Sequence, residues 1–168
     1  MNEGLRAGAL RRPRRLVGWP LLGLATGAAV ALWALWPFAA APRADPDDAR
    51  QVALGAIVYR DYCASCHGAD LEGQPDWQSR KADGRMPAPP HDASGHTWHH
   101  ADDMLFEITK HGIERFASPG YQSDMPAFDG TLRDEEIWAV LAFIKSHWGE
   151  RERAFQERVT RAAQEAAR

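Results

Sequence analysis

The sequence predicts an all-α fold for the part of the chain that follows residue 48. Apolar residues between Val52 and Tyr59 recur at helical spacing. A second apolar stripe at helical spacing consists of Ile137, Trp138, Leu141 and Ile144. No stretch shows the alternation of a half-buried strand, and 168 residues allow one ordinary domain with an appendage.

Residues 1–41 have the composition of an export signal that is retained as a membrane anchor. Four arginines between Arg11 and Arg15 precede an uncharged, largely apolar stretch from Leu16 to Pro42. A helix needs roughly 20 apolar residues to cross a membrane, whereas the core of a cleavable signal has about 7 to 15. We therefore expect a single-pass transmembrane helix in the inner membrane, with cleavage near 39–41 as the alternative. Because arginines stay in the cytoplasm, the rest of the chain is expected in the periplasm.

The exported part carries a net negative charge. Residues 1–41 hold five arginines and one acidic residue, so the formal charge of −3 on the chain leaves −7 for residues 42–168. Such a surface repels phosphates, and nucleic acid is therefore not an expected partner.

Residues 42–48 are expected to form a linker, and residues 49–148 the domain. Two prolines and three aspartates give the linker too little apolar content to pack, and Asp45 or Asp47 can cap the helix that follows. That helix is predicted to end at the cysteines. Gly55 within it allows close approach by another element, which we expect to be the helix of the second stripe.

Between the two main helices the chain lacks a sustained period. Residues 68–101, rich in glycine, proline and polar residues, are predicted to form a long ordered loop. A short helix is predicted from Asp102 to a break at Gly112, and Thr131 is predicted to cap the last main helix. Residues 149–168 form a charged helical tail, which we expect to be solvated because its apolar stripe is thin.

The chain has only two cysteines, and their spacing limits what they can do. The run Cys63, Ala64, Ser65, Cys66, His67 matches the haem attachment pattern. Residues three apart share one face of a helix, so both thiols can reach the two vinyl groups on one edge of a porphyrin. The next residue brings an imidazole to the iron, which makes His67 the expected proximal ligand of one covalent haem c.

The alternatives for the same residues are a structural zinc site, a dithiol redox pair and two cysteines that share this spacing by chance. A structural zinc usually takes four protein ligands, and without a third cysteine it would have to recruit histidines across loops. A thioredoxin-like pair belongs in an alternating strand and helix pattern, which this sequence lacks. Haem is therefore the favoured interpretation.

The attachment motif near the start of the domain and Ser-Asp-Met-Pro-Ala-Phe at 123–128 near its end resemble a known family, the class I c-type cytochromes. The resemblance runs from about residue 50 to 148 and implies a helical cytochrome c-like haem domain. Gly55 looks like the glycine of that family's first helix, which packs on aromatic residues of the last helix. The resemblance implies Trp138 as its counterpart.

Met125 is the expected second axial ligand. A thioether in a loop rich in glycine and proline is not placed there by helical core periodicity, and histidine–methionine ligation raises the haem potential. A methionine that only fills the core is the plainer alternative. Met86 also precedes a proline, but the resemblance favours Met125, because the family's ligand lies just before the final helix. The resemblance also implies that a carbonyl of the Pro89–Pro90 segment accepts a hydrogen bond from His67.

The histidines at 91, 96, 99 and 100 fit the family pattern least well. Clustered imidazole and thioether groups are ligands that copper accepts, so a second metal site in segment 86–100 is an alternative to contacts with the haem or within the loop. A copper-handling module is accordingly one alternative function.

The expected function is that of a single-electron carrier and not of an enzyme. With both axial positions filled, the iron has no open site for oxygen or peroxide. The expected partners are redox proteins of the membrane or periplasm and the machinery that attaches haem to c-type cytochromes. An enzyme or gas-binding protein with a vacant sixth position is the other alternative.

Overall fold

The computed structural model describes residues 43–168, and the predicted anchor over residues 1–41 lies outside the described residues. Regular structure within residues 43–168 is entirely helical, which confirms the all-α prediction. Helix α1 (Ala49–Val58) continues through a π-helical turn (Tyr59–Cys63) into the short α2 (Ala64–His67). The remaining elements are α3 (Asp102–His111), α4 (Asp134–Ser146), α5 (Glu150–Ala166) and 3₁₀ turns at Thr97–His99 and Ile113–Arg115. In this described part, no helix is long and apolar enough to cross a membrane.

Helices α1 and α4 pack closely against each other at Gly55. A β-carbon at this position would lie 2.0 Å from the backbone oxygen of Ala139 and 2.8 Å from the β-carbon of Phe143, so only glycine fits. The expected aromatic neighbour is therefore Phe143, and the assignment of Trp138 is wrong. The Trp138 indole stacks on Phe106 of α3, with ring centroids 4.4 Å apart. Ala139 and Phe143 are four residues apart and share the face of α4 that meets Gly55.

The helix starts differ from the predicted caps by one to three residues. Asp48, and not Asp45 or Asp47, accepts two backbone N–H groups in the first turn of α1. Helix α4 begins after Arg133, whose own N–H donates to a glutamate three residues later. Thr131 is therefore not its cap.

Backbone hydrogen bonds order the long loop at 68–101. The carbonyl of Leu71, a residue that is 2% exposed, accepts the N–H of His91 at 2.8 Å. Gln74 and Ala88 bond each other in both directions, each at 2.9 Å. The segments 71–74 and 88–91 therefore lie side by side, and the loop is ordered as predicted.

Helix α5 docks on the domain, so the expectation of a solvated tail is wrong. Gln156 is 1% exposed, and its amide donates to the Asp102 carboxylate at 2.6 Å. The buried hydroxyl of Thr160 accepts the N–H of Asp102 at 3.1 Å. Lys145 of α4 completes the cluster with a contact of 2.8 Å to the same carboxylate. Phe155 of the thin apolar stripe also packs against Trp98, with ring centroids 5.3 Å apart, but apolar periodicity gives no sign of the polar contacts.

Candidate haem site

The cysteine motif lies where the first helix changes its winding. The π-helical turn ends at Cys63, and α2 carries Cys66 and His67. All three side chains line one cavity of about 410 Å³. Cys63 is half-buried, Cys66 is exposed, and both are free thiols. The structure thus brings the predicted attachment residues to the wall of a single cavity.

Burial disfavours the thiolate form of Cys63. It raises the pKa of the Cys63 thiol to about 11, and the nearby Cys66 adds to the effect. Metals bind the thiolate, so a zinc ion at Cys63 would have to displace the thiol proton. Among residues 43–168, no group of three or more histidine, cysteine or acidic side chains could hold a metal ion. Within the described part of the chain, the zinc alternative therefore lacks the further ligands that it needs, and segment 86–100 contributes to no cluster of three such groups.

His67 has one ring nitrogen available to the cavity. Its side chain is 8% exposed, and Nδ1 lies 2.8 Å from the carbonyl oxygen of Pro89. A carbonyl only accepts, so Nδ1 donates its proton and Nε2 keeps a free lone pair. Burial lowers the pKa of His67, and the bond to Pro89 opposes this effect. The imidazole is therefore neutral at pH 7, which is the form that binds metals. Its bond to Pro89 is the one that the family resemblance implied.

Met125 lines the same cavity as the cysteine motif. It packs against the hydrophobic core, and its N–H donates to the Ser123 hydroxyl at 3.0 Å. Met86 also lines the cavity, but it does not belong to the packed core cluster. Apolar side chains form much of the remaining wall, among them Leu105, Ile108, Phe128, Val140, Leu141 and Ile144.

This donor set fits a haem c. Two thiols three residues apart, a neutral buried imidazole and thioethers surround an apolar cavity, and nitrogen with soft sulfur suits iron in a porphyrin better than it suits a hard cation. The family model described as cytochrome c matches residues 52–148, more than half of the chain. The chain belongs to the cytochrome c family. No significant match was found among curated proteins or among solved structures.

As a c-type cytochrome, the protein binds haem covalently through its cysteine pair and is a haem-based electron carrier.

In the cytochrome, ion pairs connect the loop that carries Met125 to the long loop at 68–101. Asp124 accepts a hydrogen bond from Arg85 at 2.7 Å and another from Lys81. The hydrogen bond from Lys81, helped by the charge of Arg85, holds the pKa of Asp124 below its ordinary value. The residue before Met125 is thus held by two cations of the long loop.

The histidine segment of the cytochrome also lines the cavity. The ring of His91 stacks on that of His67, with centroids 4.0 Å apart and 21° between the planes. His96 stacks on Trp77, and His100 meets His96 edge-on. Burial lowers the pKa of His91 well below its ordinary value and also lowers the pKa values of His96 and His100. These imidazoles therefore act as neutral packing groups.

Two further residues of the cytochrome site were not predicted from the sequence. Helical spacing predicts only that Tyr59 is a core residue. In the structure its hydroxyl donates to the carbonyls of His67 at 3.3 Å and Gly68 at 2.9 Å. Trp148 donates its indole N–H to the carbonyl of His91 at 2.8 Å. One feature of the sequence could have pointed to these residues. A buried tyrosine or tryptophan needs a hydrogen-bond acceptor, and the loop beside the cysteine motif offers backbone carbonyls.

Proposed function

We propose that the domain binds one haem c, with His67 and Met125 as the axial ligands of its iron. Cys63 and Cys66 form the thioether bonds, and the protein carries single electrons in a periplasmic or respiratory chain. The main support is the state of His67: its Nδ1 is bonded to Pro89, so only Nε2 is available to a cavity that Met125 also lines. The single cysteine pair supports a count of one haem.

Each part of the site has a separate task in this proposal. A bound haem supplies an iron that changes its charge by one electron. The Pro89 carbonyl fixes the tautomer and orientation of His67 and raises its basicity. The apolar wall keeps water out, which disfavours the more highly charged oxidised state, and the thioether of Met125 acts in the same direction. Both effects raise the reduction potential.

The proposal includes an anchor at the amino-terminal end. Residues 1–41 hold the domain at the periplasmic face of the inner membrane, where its partners are membrane or periplasmic redox proteins. Tethering replaces a diffusional search by a high local concentration of the partner. The arginines ahead of the apolar stretch support this orientation. Haem attachment by the cytochrome c maturation machinery follows export.

Optical spectra of the holoprotein test the axial ligands. The ferric protein is expected to show the near-infrared band of sulfur-to-iron charge transfer, and Met125→Ala is expected to lose it. Met86→Ala is the matched control, because Met86 lines the same cavity, and it is expected to keep the band. Carbon monoxide is expected to bind the reduced M125A protein and not the parent.

Two outcomes would contradict the ligand assignment. A band that survives in M125A and disappears in M86A would make Met86 the ligand. A parent protein that lacks the band and binds carbon monoxide readily would have an open or weakly held sixth position, and the enzyme or gas-binding alternative would replace the carrier.

A further inference from the structure

We propose that His91 is a positioning residue for His67, and that it holds the plane of the axial imidazole by stacking against its face. This rests on the proposed role of His67 as an iron ligand. The proposal assigns a role to His91, one of the four histidines of segment 91–100. Neither the cysteine motif nor Met125 explains why these histidines are present.

The rings of His67 and His91 lie nearly face to face. Their centroids are 4.0 Å apart, and their planes differ by 21°. The bond from Nδ1 to Pro89, at 2.8 Å, fixes one edge of the His67 ring. A single hydrogen bond leaves the ring free to tilt about that contact, whereas a flat neighbour on its face removes this freedom. The two contacts together define the orientation of the ring.

Three hydrogen bonds hold His91 itself. Its backbone N–H donates to the carbonyl of Leu71, and its own carbonyl accepts the indole N–H of Trp148, both at 2.8 Å. Nδ1 lies 2.8 Å from the hydroxyl oxygen of Thr97, and that hydroxyl donates to the Pro90 carbonyl at 3.5 Å. The hydrogen bond between Nδ1 and the Thr97 hydroxyl forms with either tautomer of the ring. The side chain is a rigid support.

A space-filling role and a stacking role for His91 predict different effects of substitution. Leucine has a bulk similar to that of histidine but no flat face, whereas phenylalanine has a flat face but no ring nitrogen. If His91 only fills space, leucine replaces it without effect on the iron. If His91 orients His67, phenylalanine is the better replacement.

Paramagnetic NMR of the ferric holoprotein tests the proposal, because the shifts of the haem methyl groups depend on the plane of the axial imidazole. His91→Leu is expected to change the order or spread of these shifts, and His91→Phe to bring them back toward the parent. Thr97→Val removes the hydrogen bond that fixes the ring of His91, so the stacked ring can turn, and it is expected to give a smaller change. His99→Leu is the matched control, because His99 belongs to the same segment but is exposed and contacts Trp98 and Phe155 instead.

Parent-like methyl shifts in H91L, no different from those in H99L, would overturn the proposal. If H91L does not retain haem, T97V decides the question, and unchanged shifts in T97V overturn it. The near-infrared band is recorded on the same samples. Its absence from the parent counts against Met125 and leaves the test of His91 intact, whereas a parent spectrum without histidine ligation removes the proposed function and this proposal together.

Discussion

Asp124, the residue before Met125, is held by two ion pairs. It lies between Lys81 and Arg85, and all three side chains are partly exposed to solvent. Exposed ion pairs are weak singly and are screened by salt, but here two of them converge on the residue before the proposed ligand. The sequence gives no sign of these pairs, because 43 and 39 residues separate the partners along the chain.

Replacing Asp124 by asparagine is expected to loosen Met125 without unfolding the domain. The ferric D124N holoprotein should bind added imidazole faster than the parent, because the loop leaves the iron more often. The difference should shrink at high salt, which already screens the ion pairs of the parent. Asp103→Asn, which removes an exposed acid of α3, is the control. Equal rates for D124N and the parent at low salt would mean that the ion pairs do not hold this loop.

At the scale of the helices, a buried polar cluster joins α3, α4 and α5. Lys145 and Asp102 are both buried, and a buried ion pair is tolerated only when further hydrogen bonds satisfy its charges. Gln156 and Thr160 supply those bonds from α5. Both lie on one face of the helix at a spacing of four residues. A search for apolar periodicity cannot find such a face.

Lys145→Met is expected to lower the free energy of unfolding of the holoprotein by about 3 kcal/mol, because it leaves the Asp102 carboxylate buried without its cation. Arg161→Ala is the control, since it breaks only the exposed pair with Glu157 on the outer side of α5 and should cost less than about 1 kcal/mol. Denaturant unfolding measures both. A K145M protein as stable as R161A would show that the cluster contributes little to the docking of α5.

Gly55→Ala tests the crossing of α1 and α4. Alanine is favoured over glycine by about 1 kcal/mol in a helix, but overpacking against a fixed backbone costs up to about 3 kcal/mol. With the new β-carbon 2.0 Å from the Ala139 oxygen, a net loss of about 2 kcal/mol is expected. Ala53→Ser on the exposed side of α1 is the control and should change stability little. Equal or greater stability of G55A in thermal unfolding would mean that the helices can separate at no cost.

For the whole molecule, the predictable features are those with a local cause. The spacing of Cys63, Cys66 and His67 follows from the attachment of a porphyrin, so the motif could be predicted. Helices α1 and α4 could be predicted from their apolar residues at helical spacing. The stack of His91 on His67 could not, because it depends on hydrogen bonds between residues far apart in a segment without any period. Met125 was predicted from its place in an irregular loop and was preferred to Met86 on the family resemblance. Its role as a ligand stays a prediction, because Met86 lines the same cavity.

A redox titration of the purified holoprotein, with covalent haem assayed on the same sample, tests the central claim most directly. The account predicts one haem per chain, uptake of one electron per chain and a single reversible one-electron wave. A Cys63→Ala, Cys66→Ala double variant should lose covalent haem and the wave together. Uptake of more than one electron per chain, or bound haem without a reversible wave, would contradict a single-electron carrier with one haem.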